Sequence, residues 1–206
     1  MNEGVLRLFL ALPLSEEARA AAAAAAAPLR ARAPRLRWVE PALYHLTLRF
    51  LGDTEPARLP AIVAAFGPAV GASAPFALRL GALDTLPRGR NARVLALALA
   101  EGGAPLARLA AALEDESRRL GYAPETRPFR PHLTLARSRQ GETLPPGLAL
   151  PGAALAAAAA PAWRAETALL MESELSPRGP RYRIRASFPL GGREAAGPTG
   201  GAAAPD

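Results

Sequence analysis

Hydrophobic and other residues alternate in several short stretches of the chain, and prolines and glycines separate these stretches. A period of two residues is that of a β-strand with one buried face. Alternation of this kind, together with the turn residues between the stretches, predicts eight strands, over residues 5–12, 36–40, 44–51, 76–83, 92–99, 132–137, 163–175 and 182–189.

Helices are predicted between these strands. Ser15 is a good start for a helix through the alanine-rich residues 18–27, which Pro28 is expected to end. Residues 56–70 and 105–120 are also expected to be helical. Helices mixed with strands and short turns predict an α+β fold with antiparallel sheets.

One domain is expected over residues 1–190, because a chain of 206 residues is long enough to bury a core. Residues 191–206 contain almost nothing to bury, so a disordered tail is expected there. No apolar run reaches the roughly 20 residues of a membrane span, and the apolar start lacks the features of a signal peptide. We therefore expect a cytoplasmic protein.

Composition adds a preference for phosphate. The formal net charge is +7, and all 25 basic residues are arginine. Guanidinium groups bind phosphate through charge and through paired hydrogen bonds. The chain has no cysteine, which excludes disulfides, thiolate metal sites and a cysteine nucleophile.

Both histidines of the chain occur in the same tetrapeptide, His-Leu-Thr-Leu, beginning at His45 and at His132. Each tetrapeptide lies in a predicted strand, so each histidine shares a face with the threonine two residues later, Thr47 or Thr134. Strict alternation also puts Arg49 on the face of His45. The core face is expected to carry Tyr44, Leu46, Leu48 and Phe50.

Two facing histidines suit displacement at phosphorus. One imidazole can take a proton from the attacking oxygen while the other gives a proton to the leaving oxygen. The two threonine hydroxyls, with Arg49 and Arg130 nearby, can hold the phosphate oxygens. A zinc site needs three or four ligands at short spacings, whereas this chain has two histidines and no carboxylate at a ligand spacing beside them. The sequence also has neither the Gly-x-Ser-x-Gly elbow of serine hydrolases nor a phosphate-binding loop. Purely structural histidines remain the alternative.

The paired motifs resemble the two-histidine (2H) phosphoesterases, and most closely the bacterial and archaeal RNA 2′,3′-cyclic phosphodiesterases, also called 2′-5′ RNA ligases. The resemblance covers about residues 5–190. Its matching segments are Arg7-Leu8-Phe9, Leu12-Pro13, Arg37-Trp38-Val39, His45 to Gly52, Arg127 to Arg137, Glu172 to Ser176 and Tyr182.

The resemblance implies a bilobal, pseudo-twofold fold with two antiparallel sheets, outer helices and a central cleft. It implies hydrolysis of RNA 2′,3′-cyclic phosphate ends to 2′-phosphates, with weak reverse ligation, His132 as base and His45 as acid. Arg137 is implied at the phosphate, although alternation places it on the wrong face unless a bulge or twist redirects it. Phe9 and Tyr44 are candidates for base stacking, and packing in the core is the alternative for each.

A monomer without cofactor or metal is expected, acting on RNA ends or cyclic nucleotides. The same site would suit a phosphodiesterase for a small cyclic nucleotide or an ADP-ribose cyclic phosphate. An inactive RNA-binding module is less consistent with the sequence, because all four motif residues are present. A purely structural interaction protein leaves the duplicated motif unexplained.

Overall fold

The computed structural model describes residues 4–148, 160–176 and 179–191. The expected tail lies outside this part of the chain, apart from residue 191. The strands are β1 (Leu6–Pro13), β2 (Arg37–Trp38), β3 (His45–Thr54), β4 (Phe76–Leu86), β5 (Val94–Glu101), β6 (His132–Arg137), β7 (Ala162–Ala165), β8 (Thr167–Ser176) and β9 (Gly179–Pro189). The helices are α1 (Glu16–Arg32), α2 (Leu59–Gly71) and α3 (Gly103–Arg119).

The α+β class is confirmed, but the expectation of two separate sheets is wrong. The strands form one strongly curled antiparallel sheet in the order β7-β4-β5-β6-β3-β1-β8-β9, with β2 also paired to β6. The first and last four strands of this order form two half-sheets. They are joined because the edge of β6 pairs with β3 at Leu46 and Leu133, and with β2 beside it.

The core lies on the leucine side of the two motif strands. Leu46 and Leu133 are fully buried and belong to one hydrophobic cluster with residues of all three helices. The intervening histidines and threonines therefore face away from the helices, because strand side chains alternate. Burying these leucines fixes the face on which the polar residues lie.

Two predicted boundaries are wrong. Helix α1 continues through Pro28 to Arg32, where its last N–H bond runs from Ala33 to Leu29. The predicted strand 163–175 divides into β7 and β8, which pair with opposite half-sheets. None of the helices in the described ranges is long and apolar enough to cross a membrane.

Candidate active site

The two histidines are held in the same way. Nδ1 of His45 lies 2.8 Å from the carbonyl oxygen of Leu43, and Nδ1 of His132 lies 2.7 Å from that of Arg130. A carbonyl oxygen only accepts, so each Nδ1 carries the hydrogen. Nε2 is therefore the atom of each ring that is free to exchange a proton.

The threonines follow their histidines on the same face. Antiparallel pairing of Leu46 with Leu133 sets His45 beside Thr134 and Thr47 beside His132. The hydroxyl of Thr47 lies 3.0 Å from Nε2 of His45. No matching bond joins Thr134 to His132 within the described residues, so the repeat is not fully symmetric.

A bulge follows the threonine in both motifs. Between β1 and β3 the register skips Leu48, and between β5 and β6 it skips Leu135. An extra residue in one strand reverses the alternation beyond it. The fifth residue after each histidine, Phe50 or Arg137, consequently turns to the histidine face. This supplies the bulge that Arg137 requires.

The same bulge makes the expected position of Arg49 wrong. Arg49 is 5% exposed and turns toward α3, away from the histidines. Its Nε lies 2.9 Å from the Glu114 carboxylate without hydrogen-bond alignment, and its Nη1 donates to Glu125 at 3.0 Å. Nη2 donates to the carbonyl of Ala123. Arg49 thus fastens β3 to α3 and to the segment after it.

Arg137 and Arg130 differ in how they relate to the histidines. The charge of Arg137 is felt by both imidazoles and by the Tyr182 hydroxyl. Arg130 acts on His132 alone, and its guanidinium lies 2.8 Å from the Asp84 carboxylate. The charge of Arg137 therefore reaches both motifs, whereas that of Arg130 reaches only the second.

Neither predicted stacking residue is open to a base. Phe9 is 2% exposed and is covered by the rings of His45, Phe50 and Tyr182, whose centroids lie 5.0, 5.8 and 5.1 Å away. Tyr44 is 5% exposed and packs in the core. Phe9 packs against the His45 ring, and Tyr44 is part of the hydrophobic core.

Phe50 was expected on the core face, which is wrong, and Tyr182 was not identified from the sequence as a site residue. Phe50 is 52% exposed, and the Tyr182 ring meets the His45 ring edge-on at 5.4 Å. Aligning the two motifs residue by residue pairs Phe50 with Arg137. Because Arg137 was already a candidate for the site, this alignment would have identified Phe50 as a candidate too. Tyr182 lies in a distant strand, and no local pattern places it here.

Both histidines have a lowered pKa. Burial is the main cause for His45, and the charges of Arg137 and His132 act in the same direction. Burial again dominates for His132, with Arg137 and Arg130 adding to it. The carbonyl bonds partly oppose the shift in both rings. Each imidazole is therefore more strongly neutral near pH 7 than free histidine.

The side chains around the histidines suit proton transfer at an anion more than metal coordination. Within the described ranges no group of three His, Cys, Asp or Glu residues is placed to hold a metal ion. The arrangement instead offers two imidazole Nε2 atoms, two threonine hydroxyls and one guanidinium. That set can move protons and neutralise a negatively charged group.

A curled sheet whose two central strands each present a His-x-Thr motif is the arrangement of the 2H phosphoesterases. Within that class, the model of the 2′-5′ RNA ligase superfamily matches residues 13–172, and the chain belongs to this family. The resemblance inferred from the motifs is thereby confirmed.

Relatives named RNA 2′,3′-cyclic phosphodiesterase match most of the chain. The one from Thermus thermophilus is 35% identical over 200 residues, covering 91% of each chain. The one from Geobacillus stearothermophilus is 32% identical over 185 residues, which are 88% of this chain and 56% of the relative. The chain thus spans just over half the length of the Geobacillus protein.

Solved structures confirm the fold. A crystal structure of a T. thermophilus protein superposes with a TM-score of 0.75 at 31% identity, over 91% of this chain and all of that one. The E. coli protein LigT in complex with 3′-AMP gives 0.69 at 27% identity, over 90% and 98% of the two chains.

Proposed function

We propose that this chain hydrolyses RNA 2′,3′-cyclic phosphate ends to 2′-phosphates, with His45 and His132 as its acid and base. The observation that carries the proposal is the repeated Nδ1 contact to a carbonyl two residues earlier. It directs one Nε2 atom from each half-sheet to the face that Arg137 reaches. The names of the relatives support the same reaction.

The reaction requires the two imidazoles in opposite protonation states. Neutral His132 accepts a proton from water as the water oxygen bonds to phosphorus. The bond from phosphorus to O3′ breaks, and protonated His45 gives its Nε2 proton to O3′. The products are a 2′-phosphate and a 3′-hydroxyl. The division of roles rests on the resemblance of the motifs to the family.

The remaining groups hold the anion. Thr47 and Thr134 donate to non-bridging oxygens, and Arg137 neutralises the charge that develops on them. The phosphate charge also favours a protonated imidazole, which offsets the lowered pKa of His45. The exposed ring of Phe50 offers a surface for the terminal base, and such stacking accepts any base.

Weak ligation follows from the same groups. Replacing water by the 5′-hydroxyl of a second RNA gives a 2′-5′ linkage, because His132 can accept a proton from either nucleophile. The cycle uses no cofactor and no metal ion. We propose RNA ends as the substrate and a monomer as the working form, in the cytoplasm.

The test is an assay of the purified protein in excess chelator. An RNA with a 2′,3′-cyclic phosphate end should be converted to the 2′-phosphate, while His45→Ala and His132→Ala should each lose about 10²–10⁴-fold in rate. A cyclic mononucleotide and an ADP-ribose cyclic phosphate serve as alternative substrates. Near-native turnover by either histidine variant, or activity that requires added zinc or manganese, would refute the mechanism.

A second assay assigns the acid. A substrate whose leaving group needs no proton should largely rescue His45→Ala and leave His132→Ala inactive. Rescue of His132→Ala instead would exchange the two roles while keeping the reaction.

A further inference from the structure

A surface pocket of about 350 Å³ lies next to the second histidine motif, outside the groups used so far in the reaction. Its walls include Asp84, Arg88, Ala98, Phe129 and Arg130, and on the helix side Gly103 and Ala107 of α3. This volume falls at the lower end of pockets for small organic ligands, so one nucleotide is a suitable size.

The pocket adjoins the active site at Arg130 and Pro131, which directly precede His132. Ala98 is the register partner of His132, so their side chains share a face of the sheet. The carbonyl of Arg130 accepts the Nδ1 hydrogen of His132, so the pocket wall also holds the catalytic ring. Asp84 pairs with Ala96, and Ala96 pairs with Thr134, which puts Asp84 on the histidine face as well. A substrate bound at His132 would therefore have this space next to it.

The pocket carries an excess positive charge. Asp84 accepts two hydrogen bonds from Arg88, both at 3.1 Å, and one from Arg130 at 2.8 Å. One carboxylate balances one of the two guanidinium groups and leaves one positive charge. The Arg88 side chain is 73% exposed and can turn toward a ligand. A single phosphodiester group would complete the charge balance.

An aromatic ring stands beside this charge. Phe129 is 37% exposed and is separated from His132 only by Arg130 and Pro131. An exposed ring next to arginines is the combination by which proteins bind single-stranded nucleic acid without regard to sequence. Phe50 and Phe129 thus provide two separate aromatic surfaces.

We propose that this pocket binds the second nucleotide of the RNA, the one joined to the nucleotide that carries the cyclic phosphate. Phe129 stacks on its base, and Arg88 contacts the phosphodiester that links the two nucleotides. The inference rests on the proposed function and deepens it, because it makes an RNA end a better substrate than a cyclic mononucleotide.

The experiment compares kcat/KM for a mononucleoside 2′,3′-cyclic phosphate with that for a dinucleotide ending in the same group. The wild-type protein should prefer the dinucleotide. Phe129→Ala should lower the ratio of the two values by at least about fivefold, the lower limit for losing one stacked base. Arg88→Gln should lower it as well. Arg164→Gln removes an exposed, ion-paired arginine from the far edge strand β7 and is the matched control, with the ratio unchanged.

The outcomes separate the two proposals. Hydrolysis of both substrates with no preference for the dinucleotide overturns the pocket and leaves the proposed function intact. Hydrolysis of neither substrate overturns both. Equal losses on both substrates in Phe129→Ala show that Phe129 acts at the terminal nucleotide, which overturns the pocket. Phe129→Tyr keeps the ring and should keep the preference, so a folding defect in the alanine variant leaves the idea testable.

Discussion

The charge of Arg137 lowers the pKa of both imidazoles, while other nearby charges act on one ring each. A single guanidinium therefore influences both of the rings that are proposed to transfer protons. Its position after the bulge at Leu135 aligns it with Phe50 of the first motif. The two half-sheets place different chemistry at this equivalent site, a cation in one and an aromatic ring in the other.

Replacing Arg137 by glutamine should shift the pH dependence. Without the guanidinium, protonation of both imidazoles is easier, so both pKa values rise and both limbs of the kcat/KM profile move to higher pH. The maximal rate should fall about 10²–10³-fold, as on losing an oxyanion donor. The profile is measured by initial rates across pH, with Arg79→Gln as the control. An unshifted profile would contradict this account.

The sequence allowed some site residues to be predicted and not others, for a physical reason. His45 and Thr47 were placed on one face because alternation holds across two residues. Arg49 was misplaced because a bulge needs a register partner, and that partner, β1, is distant in sequence. Exposure of Phe9 also depends on its neighbours, among them Tyr182, so the sequence left both base stacking and core packing open for it.

The elements show the same limit. The helix predicted to end at Pro28 continues for another turn, because burial of Leu29 and the cap at Ala33 outweigh the missing N–H bond. The strand predicted over residues 163–175 has no proline or glycine to interrupt it, yet it divides into β7 and β8. A hydrophobic pattern in the sequence indicates that one face of a strand is buried. It does not indicate which other strand will form the hydrogen-bonded pair.

Pro28 provides an element-scale prediction. A proline inside a helix costs about 3 kcal/mol relative to alanine, part of which is offset by a less flexible unfolded chain. Pro28→Ala should therefore raise the free energy of unfolding by about 1–2 kcal/mol. Pro60 lies in the first turn of α2, where proline is tolerated, so Pro60→Ala should change little. Thermal and denaturant unfolding would measure both, and equal effects would refute the argument.

At the scale of the whole molecule, the excess of arginine matters for longer substrates. The net charge is +7, and Arg137, Arg130 and Arg88 lie at or beside the site. Each phosphate bound on a single strand releases counterions and contributes about 0.7 to the slope of log affinity against log salt. Values of kcat/KM should thus fall more steeply with salt for an oligonucleotide end than for a cyclic mononucleotide. Equal slopes would show that only the terminal phosphate is bound.

The order of strands in the sheet also sets when the protein becomes active during its synthesis. Strand β1 is synthesised before the other strands, yet one of its two neighbours, β8, is made after helices α1 to α3 and both histidine motifs. The half-sheet of β4, β5 and β6 likewise remains incomplete until β7, which pairs with β4, has been synthesised. A nascent chain halted before residue 162 therefore contains both histidines but exposes two unpaired strand edges, and such edges invite aggregation. The sheet that carries both histidine motifs is therefore complete only after β7, β8 and β9 have been synthesised.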